Sequence, residues 1–292
     1  MSWRTVVITK RCKLDLKMNY MEIRSEDDLK RIFLDEISIV ILENTAISMT
    51  GCLIAELASR KIKIIFCDEK RNPCAELVSY YGSHDCSRKV ENQLEWNDTL
   101  KRTVWGEIVA EKIRKQAEFI GELGYSDESQ LLLSYVNEIE IGDVTNREGH
   151  AAKVYFNALF GKNFTRTADI ITNAALNYGY SIILSAFNRE VVANGYLTQL
   201  GIFHKNMFNQ FNLSCDLMEP FRVLVDRKVK EYEFTVFEKE EKHMLIDILN
   251  QQVAIDKTTQ YVYNAIKVFC RSVFDALSEN DVSLIRFYYY EL

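Results

Sequence analysis

Gly82-Ser83-His84-Asp85 divides this sequence into two parts with different hydrophobic periods. On its N-terminal side, from Trp3 to about Leu77, apolar residues recur with the period of strands. Leu14, Leu16, Met18 and Tyr20 alternate with Asp15, Lys17 and Asn19, which predicts one extended run with a single buried face. Val6-Val7-Ile8, Ile39-Val40-Ile41-Leu42 and Ile64-Ile65-Phe66-Cys67 are short apolar runs between polar flanks, a strand signature. Leu53, Ile54, Leu57 and Ala58 lie one turn apart after Thr50-Gly51, so one helix is expected there, closing at Arg60-Lys61. The stretch from Cys67 to Cys74, with Asn72-Pro73 inside it, reads as a turn between two strands.

On the C-terminal side the segments 87–121, 127–139, 146–160, 168–190, 219–230, 240–253 and 257–278 are rich in Ala, Leu, Glu and Lys and amphipathic at helical spacing. In the last of these, Tyr261, Ala265, Val268, Val273 and Leu277 make a stripe, with Lys267 and Arg271 off it. The chain ends in Ile285-Arg-Phe-Tyr-Tyr-Tyr-Glu-Leu292, too aromatic for a free polar tail, so this end is expected to dock. The fold class is therefore α+β: a β-rich domain over residues 1–83 and a larger all-α domain over 84–292.

Of the 292 residues 48% are apolar and 27% charged, enough to bury a core and unlike a disordered chain. Two prolines and eleven glycines exclude collagen-like and proline-rich classes. No run reaches the roughly 18 apolar residues of a membrane-spanning helix, and the N-terminus lacks the apolar core of a signal peptide. Seven cysteines, an odd number without CxxC spacing, fit a reducing compartment better than a disulfide framework. A cytoplasmic protein without membrane association is expected. Thirty-six Lys and Arg against 42 Asp and Glu leave a net charge of −6. That balance argues against a protein that coats nucleic acid. It does not argue against a nucleic-acid enzyme, whose metal site itself requires carboxylates.

Three segments could carry chemistry. In Asn146-Arg147-Glu148-Gly149-His150-Ala151-Ala152-Lys153, Thr145 or Asn146 can cap a helix. Glu148 then stands in the first turn, either as an ordinary carboxylate favoured by the macrodipole or as a ligand. In Leu200-Gly201-Ile202-Phe203-His204-Lys205-Asn206, the imidazole follows a glycine and an apolar run. Of the other histidines, His84 in the break and His243 in an acidic helix read as solvated surface. In Asp216-Leu217-Met218-Glu219-Pro220-Phe221-Arg222, proline suits the first helical position, which puts Glu219 at the cap, and Asp226 is placed to pair with Arg222. Two carboxylates and an imidazole could hold Mg2+ or Mn2+, the imidazole tilting the balance towards Mn2+. Spacing alone does not show that the three meet. Phosphate loops, GxGxxG, HExxH and GxSxG are all absent.

Together, and in this order, Asn146–Phe156, Leu200–His204 and Asp216–Arg222 resemble the CRISPR adaptation integrase, CRISPR-associated protein one. Ile41-Leu42-Glu43-Asn44-Thr45 and Ile64-Ile65-Phe66-Cys67-Asp68-Glu69-Lys70 look like its N-terminal domain, and the wording is most similar to the type II-A branch. The resemblance implies a β-sandwich-like N-terminal domain used for dimerisation and a helical catalytic domain. It also implies that Glu148, His204 and Glu219 are the catalytic metal ligands. The implied reaction is transesterification: short DNA duplexes with 3′-OH ends, the new spacers, are inserted at the leader end of a repeat array. Metal-dependent DNA cleavage would be the side reaction. The partners implied are double-stranded DNA, a second copy of the chain and CRISPR-associated protein two. In type II-A systems a ring-shaped accessory protein and the guide-RNA effector nuclease join them. Arg147, Lys153, Arg222, Arg227, Lys228 and Lys230 are candidate DNA contacts, the last four forming, with Asp226, a stretch of local positive charge. The alternatives are a catalytically silent nucleic-acid-binding scaffold of the same fold and a plain metal-dependent DNase.

Overall fold

The computed structural model describes residues 4–26, 28–79 and 83–290. Trp3, Gly82 and the last two residues of the aromatic end lie outside them. Strand β1 (Arg4–Ile8) leads into β2 (Lys13–Lys17), β3 (Tyr20–Arg24), β4 (Leu29–Phe33) and β5 (Ile37–Leu42). β6 (Ser48–Met49), helix α1 (Gly51–Ser59), β7 (Lys63–Cys67) and β8 (Pro73–Leu77) complete the N-terminal region. One sheet has the order β1-β5-β7-β8, parallel except for β8; the other, β4-β3-β2-β6, is antiparallel except for β6. Thr50 caps α1, its hydroxyl accepting from Leu53 N–H. Cys67–Cys74 does make the tight connection between two antiparallel strands, and Pro73 begins the edge strand, where a missing donor is tolerated.

The alternation from Leu14 to Tyr20 is not one strand. Met18 adopts φ 54° and the chain reverses there, so β2 and β3 form a hairpin. Leu14 is buried, while Met18 is 86% and Tyr20 41% exposed. Period-two spacing continues through a two-residue turn, which is why the pattern concealed the reversal.

Strand β5 is buried along its whole length. Its continuous apolar run is what a strand covered on both faces requires. Val40 and Leu42 join Val6, Ile8, Leu14, Met21, Leu53, Leu57 and Ile64 in a core between the sheets and α1. Ile39 and Ile41, with Ile65 and Cys67, face the other way into the core of the helical region.

That region contains α2 (Cys86–Glu95), α3 (Asp98–Glu122), α4 (Ser126–Val136), α5 (Arg147–Phe160), α6 (Ile171–Ala193), α7 (Asn212–Met218), α8 (Arg222–Tyr232), α9 (Lys239–Ile246) and α10 (Val262–Glu279). The segment 87–121 is two helices because Asn97 adopts extended backbone and caps α3, accepting from Thr99 and Leu100 N–H. The C-terminal region is helical with one addition to the all-α reading: β9 (Gln252–Ile255), β10 (Thr258–Tyr261) and β11 (Tyr288–Tyr289) form a small antiparallel sheet. Asp256 and Lys257 both take positive φ to make that hairpin. The described part of the aromatic end does dock. Tyr288 is buried and donates to Pro220 O at 3.1 Å, while Lys115 donates to Tyr288 O.

Helices α3 and α6 run through the middle of this region, each buried over most of its length. A Cβ on Gly179 of α6 would stand 2.4 Å from Val225 Cγ1, so α8 lies against α6 only because that position has no side chain. Among the described residues no helix is long and apolar enough to cross a membrane.

Candidate metal-binding active site

Three structural devices bring the candidate residues to the middle of α3. The first is the start of α5. Asn146 takes the left-handed conformation and its side chain accepts from Gly149 N–H. A Cβ at Gly149 would meet that side chain at 2.7 Å, so glycine belongs there. The main cap is Asp143, whose carboxylate accepts from Arg147 N–H at 2.7 Å and Glu148 N–H at 3.0 Å. Neither Thr145 nor Asn146 supplies that double bond. Glu148 follows in the first turn, free to point inwards.

The second device is the Gly201–His204 turn, folded round Asp216. This buried carboxylate accepts from Ile202 N–H at 2.6 Å, Phe203 N–H at 2.9 Å and His204 N–H at 3.2 Å, and its Oδ1 also holds His204 Nδ1. A Cβ on Gly201 would fall 2.4 Å from His204 O and 2.7 Å from Asp216 Oδ2. Phe203 stacks on Trp105 of α3 with centroids 4.5 Å apart, and the imidazole stands edge-on to the same indole. With Nδ1 committed to Asp216, Nε2 is the nitrogen left for chemistry. The hydrogen bond that Nδ1–H donates to Asp216 raises the His204 pKa over the opposing effect of burial.

The third device is the kink between α7 and α8. Glu219–Phe221 is a single 3-10 turn linking two helices, so Glu219 is not the N-cap expected of it: it closes α7 and opens the turn, buried. Pro220 lacks the N–H that would continue α7, and the tightened turn aims Glu219 at α3. Arg222 Nε donates to Glu219 Oε1 at 2.8 Å, and its guanidinium lies 4.7 Å from the Tyr180 ring. The expected Arg222–Asp226 pair does not form. Asp226 is buried and accepts from Tyr155 Oη at 3.0 Å and from Tyr180 Oη. Burial outweighs those bonds and pushes its pKa up to about 6.

These devices converge on a residue that the motifs did not flag. Lys112, buried in α3, donates to Glu148 Oε1 at 2.6 Å and Glu219 Oε2 at 2.5 Å. Burial alone would raise the Glu219 pKa, but Arg222 and Lys112 prevail and hold it at about 2. Lys112 shows the mirror image: desolvation disfavours its charge, yet the two carboxylates raise its pKa. His204 also feels the negative charge of Glu219 and Glu148. Glu148 and Glu219 thus share one cation position, with His204 nearby but in direct contact with neither. Among the described residues no group of three His, Cys, Asp or Glu side chains is gathered tightly enough to ligate one ion. The donor set nevertheless suits a divalent cation: two carboxylates already meet at a positive charge, and a fixed imidazole presents a free nitrogen.

Lys112 and Asp216 are the residues sequence reasoning missed. A lysine on the helical stripe of Trp105, Ile108, Val109 and Ile113 was the available signal for the first. Asp216 lay within a quoted segment, but only the fold shows its bonds to the histidine turn.

The candidate DNA contacts occupy varied settings. Lys153 is exposed. Arg147 pairs with Glu138 at 3.0 Å and lies over Tyr135. Arg227 is clamped by both oxygens of Glu122 and lies 4.4 Å from the Phe119 centroid. Lys228 faces Glu231 at 3.5 Å and Lys230 faces Glu233 at 2.7 Å. The positive charge counted between 222 and 230 is therefore matched by acids just outside that stretch, Glu219, Glu231 and Glu233, and by Glu122 of α3. His84 is exposed, as expected, whereas His243 is not solvated surface: its Nε2 meets buried Glu43 Oε1 at 2.9 Å, joining α9 to the end of β5.

A two-sheet N-terminal region and a helical body, with acidic side chains gathered beside a histidine turn, make up a chain that a family profile matches over most of its length. The profile, described as CRISPR associated protein Cas1, matches residues 5–247, and the chain belongs to that family. It is 34% identical over 262 residues to the CRISPR-associated endonuclease Cas1 of Neisseria meningitidis serogroup C (strain 8013), covering 88% of this chain and 86% of the relative. A solved casposase bound to integration product superposes with a TM-score of 0.76 at 14% identity, covering 97% of this chain and 92% of the casposase. A chain of a Cas6-RT-Cas1--Cas2 complex superposes with a TM-score of 0.74 at 16% identity, covering 97% of this chain and 36% of that longer one. At these identities the two structures establish the fold.

Proposed function

We propose that this chain is a metal-dependent DNA integrase of CRISPR adaptation, serving antiviral defence, with metal-dependent DNA endonuclease activity as its side reaction. The observation that carries this is the convergence of Glu148 and Glu219 on one cation position, beside a histidine turn held by Asp216, in a chain of the Cas1 family. Glu148, Glu219 and Nε2 of His204 would hold Mg2+ or Mn2+. Such an ion polarises a non-bridging phosphate oxygen and stabilises the charge that develops on the attacking and leaving oxygens. Asp216 sets the direction of the imidazole, and Arg222 holds the oxygen of Glu219 that Lys112 does not. In the joining step the 3′-hydroxyl oxygen of the incoming duplex bonds to phosphorus of a repeat phosphodiester. The P–O bond to the repeat strand breaks, and the proton lost by the attacking hydroxyl ends on the departing 3′ oxygen. With water as nucleophile the same site cuts.

The integration product held by the casposase supports joining as the main reaction, the Cas2 partner in the Cas6-RT-Cas1--Cas2 complex supports a complex with CRISPR-associated protein two, and a solved TtCas1-DNA complex supports DNA as a partner. Assembly as a homodimer through the N-terminal β domain, and the type II-A accessory ring and guide-RNA nuclease, form part of the same proposal. The odd cysteine count supports action in the reducing cytoplasm.

One observation favours the silent scaffold: a buried lysine between two glutamates is also how a structural ion-pair network is built. The test is to incubate the protein and its small partner with a 3′-OH duplex and a supercoiled plasmid carrying a leader and repeat, with Mn2+ or Mg2+. Joined product from wild type, lost in Glu148→Ala and His204→Ala, supports the integrase. Cutting without joining supports the plain DNase, and neither activity supports the scaffold.

A further inference from the structure

The carboxylates of Glu148 and Glu219 are separated by an ammonium group, not by solvent. Lys112 Nζ is within 2.6 Å of one and 2.5 Å of the other. It arises from the middle of α3, a 25-residue helix buried on several sides, so its position is built into the scaffold. With Arg222 on the far oxygen of Glu219, one buried and one partly buried negative charge face two positive ones, and the cluster is neutral. A divalent ion added with Lys112 in place would leave this largely buried cluster with a charge of +2, which its reduced dielectric opposes. Arg222 is further held in place by the Tyr180 ring, 4.7 Å from its guanidinium, so Lys112 is the cation with fewer restraints on leaving.

We propose that Lys112 is a resident counter-cation that competes with the divalent metal for Glu148 and Glu219. It keeps the carboxylates converged while the metal is absent and must swing out of the cradle for the metal to enter. The competition therefore sets how much metal the protein needs. Lys112 is a positioning residue here and not a group that touches DNA. This inference rests on the metal reading above and goes beyond it by naming what the metal displaces.

The test is Mn2+ binding, read from the loss of the free Mn2+ electron paramagnetic resonance signal, for the full chain and two variants. Lys112→Met removes the charge at similar length and should bind Mn2+ about tenfold or more tighter than wild type. Lys112→Arg retains the charge and should stay near wild-type affinity. Metal-free Lys112→Met should also melt below wild type and recover more of its melting temperature on adding Mn2+. Equal or weaker binding by Lys112→Met, with wild type still binding, would overturn the competition and leave the metal reading intact. Absence of Mn2+ binding in all three chains would remove the metal reading and the competition with it. Should Lys112→Met fail to fold, wild type decides the matter alone. The 15Nζ resonance of Lys112 should shift or vanish at saturating Mg2+, and a resonance unchanged with Mg2+ bound would overturn the proposal.

Discussion

Asp216 shows how much one side chain can organise. Its two oxygens accept three consecutive N–H groups and engage the imidazole of His204. An amide cannot reproduce this, because one of its two heads is a donor facing donors. Asp216→Asn should therefore lower the titration midpoint of His204, measured from its imidazole proton resonances, since the bond that raises it is lost. Asp226 behaves oppositely to a paired surface acid. Its folded pKa, about 6, lies above the ordinary aspartate value, so the fold binds this proton more tightly than the unfolded chain does. The stability this group contributes is present at low pH and is lost as pH rises towards 6. Relative to Asp226→Asn, wild type should lose stability between pH 4 and 6 at no more than about 1.4 kcal/mol per pH unit, measured by urea denaturation. A difference between the two proteins that is flat across that range would contradict the burial argument.

At the scale of elements, helix α8 is where charge counting and structure part. Arg227, Lys228 and Lys230 each face a glutamate within the chain, whereas Lys153 on α5 is exposed. A cation that must first leave a carboxylate contributes less to phosphate binding than one that does not. If these helices meet DNA, Lys153→Ala should reduce the slope of log affinity against log salt by about one, and Lys228→Ala by less. Fluorescence anisotropy with a labelled duplex over a salt series measures both, and a larger effect at Lys228 would reverse the assignment.

For the molecule as a whole, the important fact is that β5 serves two cores. Val40 and Leu42 pack towards the second sheet while Ile39 and Ile41 enter the helical core. Neither region can lose its structure without exposing one face of this strand, so thermal unfolding should show a single transition by far-UV and near-UV circular dichroism. Ile41→Ala, made from the helical side, should cost about 2–5 kcal/mol and lower that one transition without splitting it. A separate earlier melting of the helices would show that the sheets stand alone.

The two-part layout and the order of the three motifs were legible in the chain because hydrophobic period and cap chemistry are local: they follow from residues a few positions apart. So were the Cys67–Cys74 turn and the docking of the aromatic end. Helix breaks such as Asn97 and the Met18 reversal were hidden because the apolar spacing runs through them without interruption. The partners of the charged groups were beyond reach for a different reason. Arg222 pairs with Glu219, three residues before it, and only the choice over Asp226 was open, whereas Lys112 joins Glu148 and Glu219, 36 and 107 residues away, because burial makes its charge seek the nearest compensating group in space. Nearness in space is set by how α3, α5 and the Glu219 turn pack together, and no local pattern of residues encodes that.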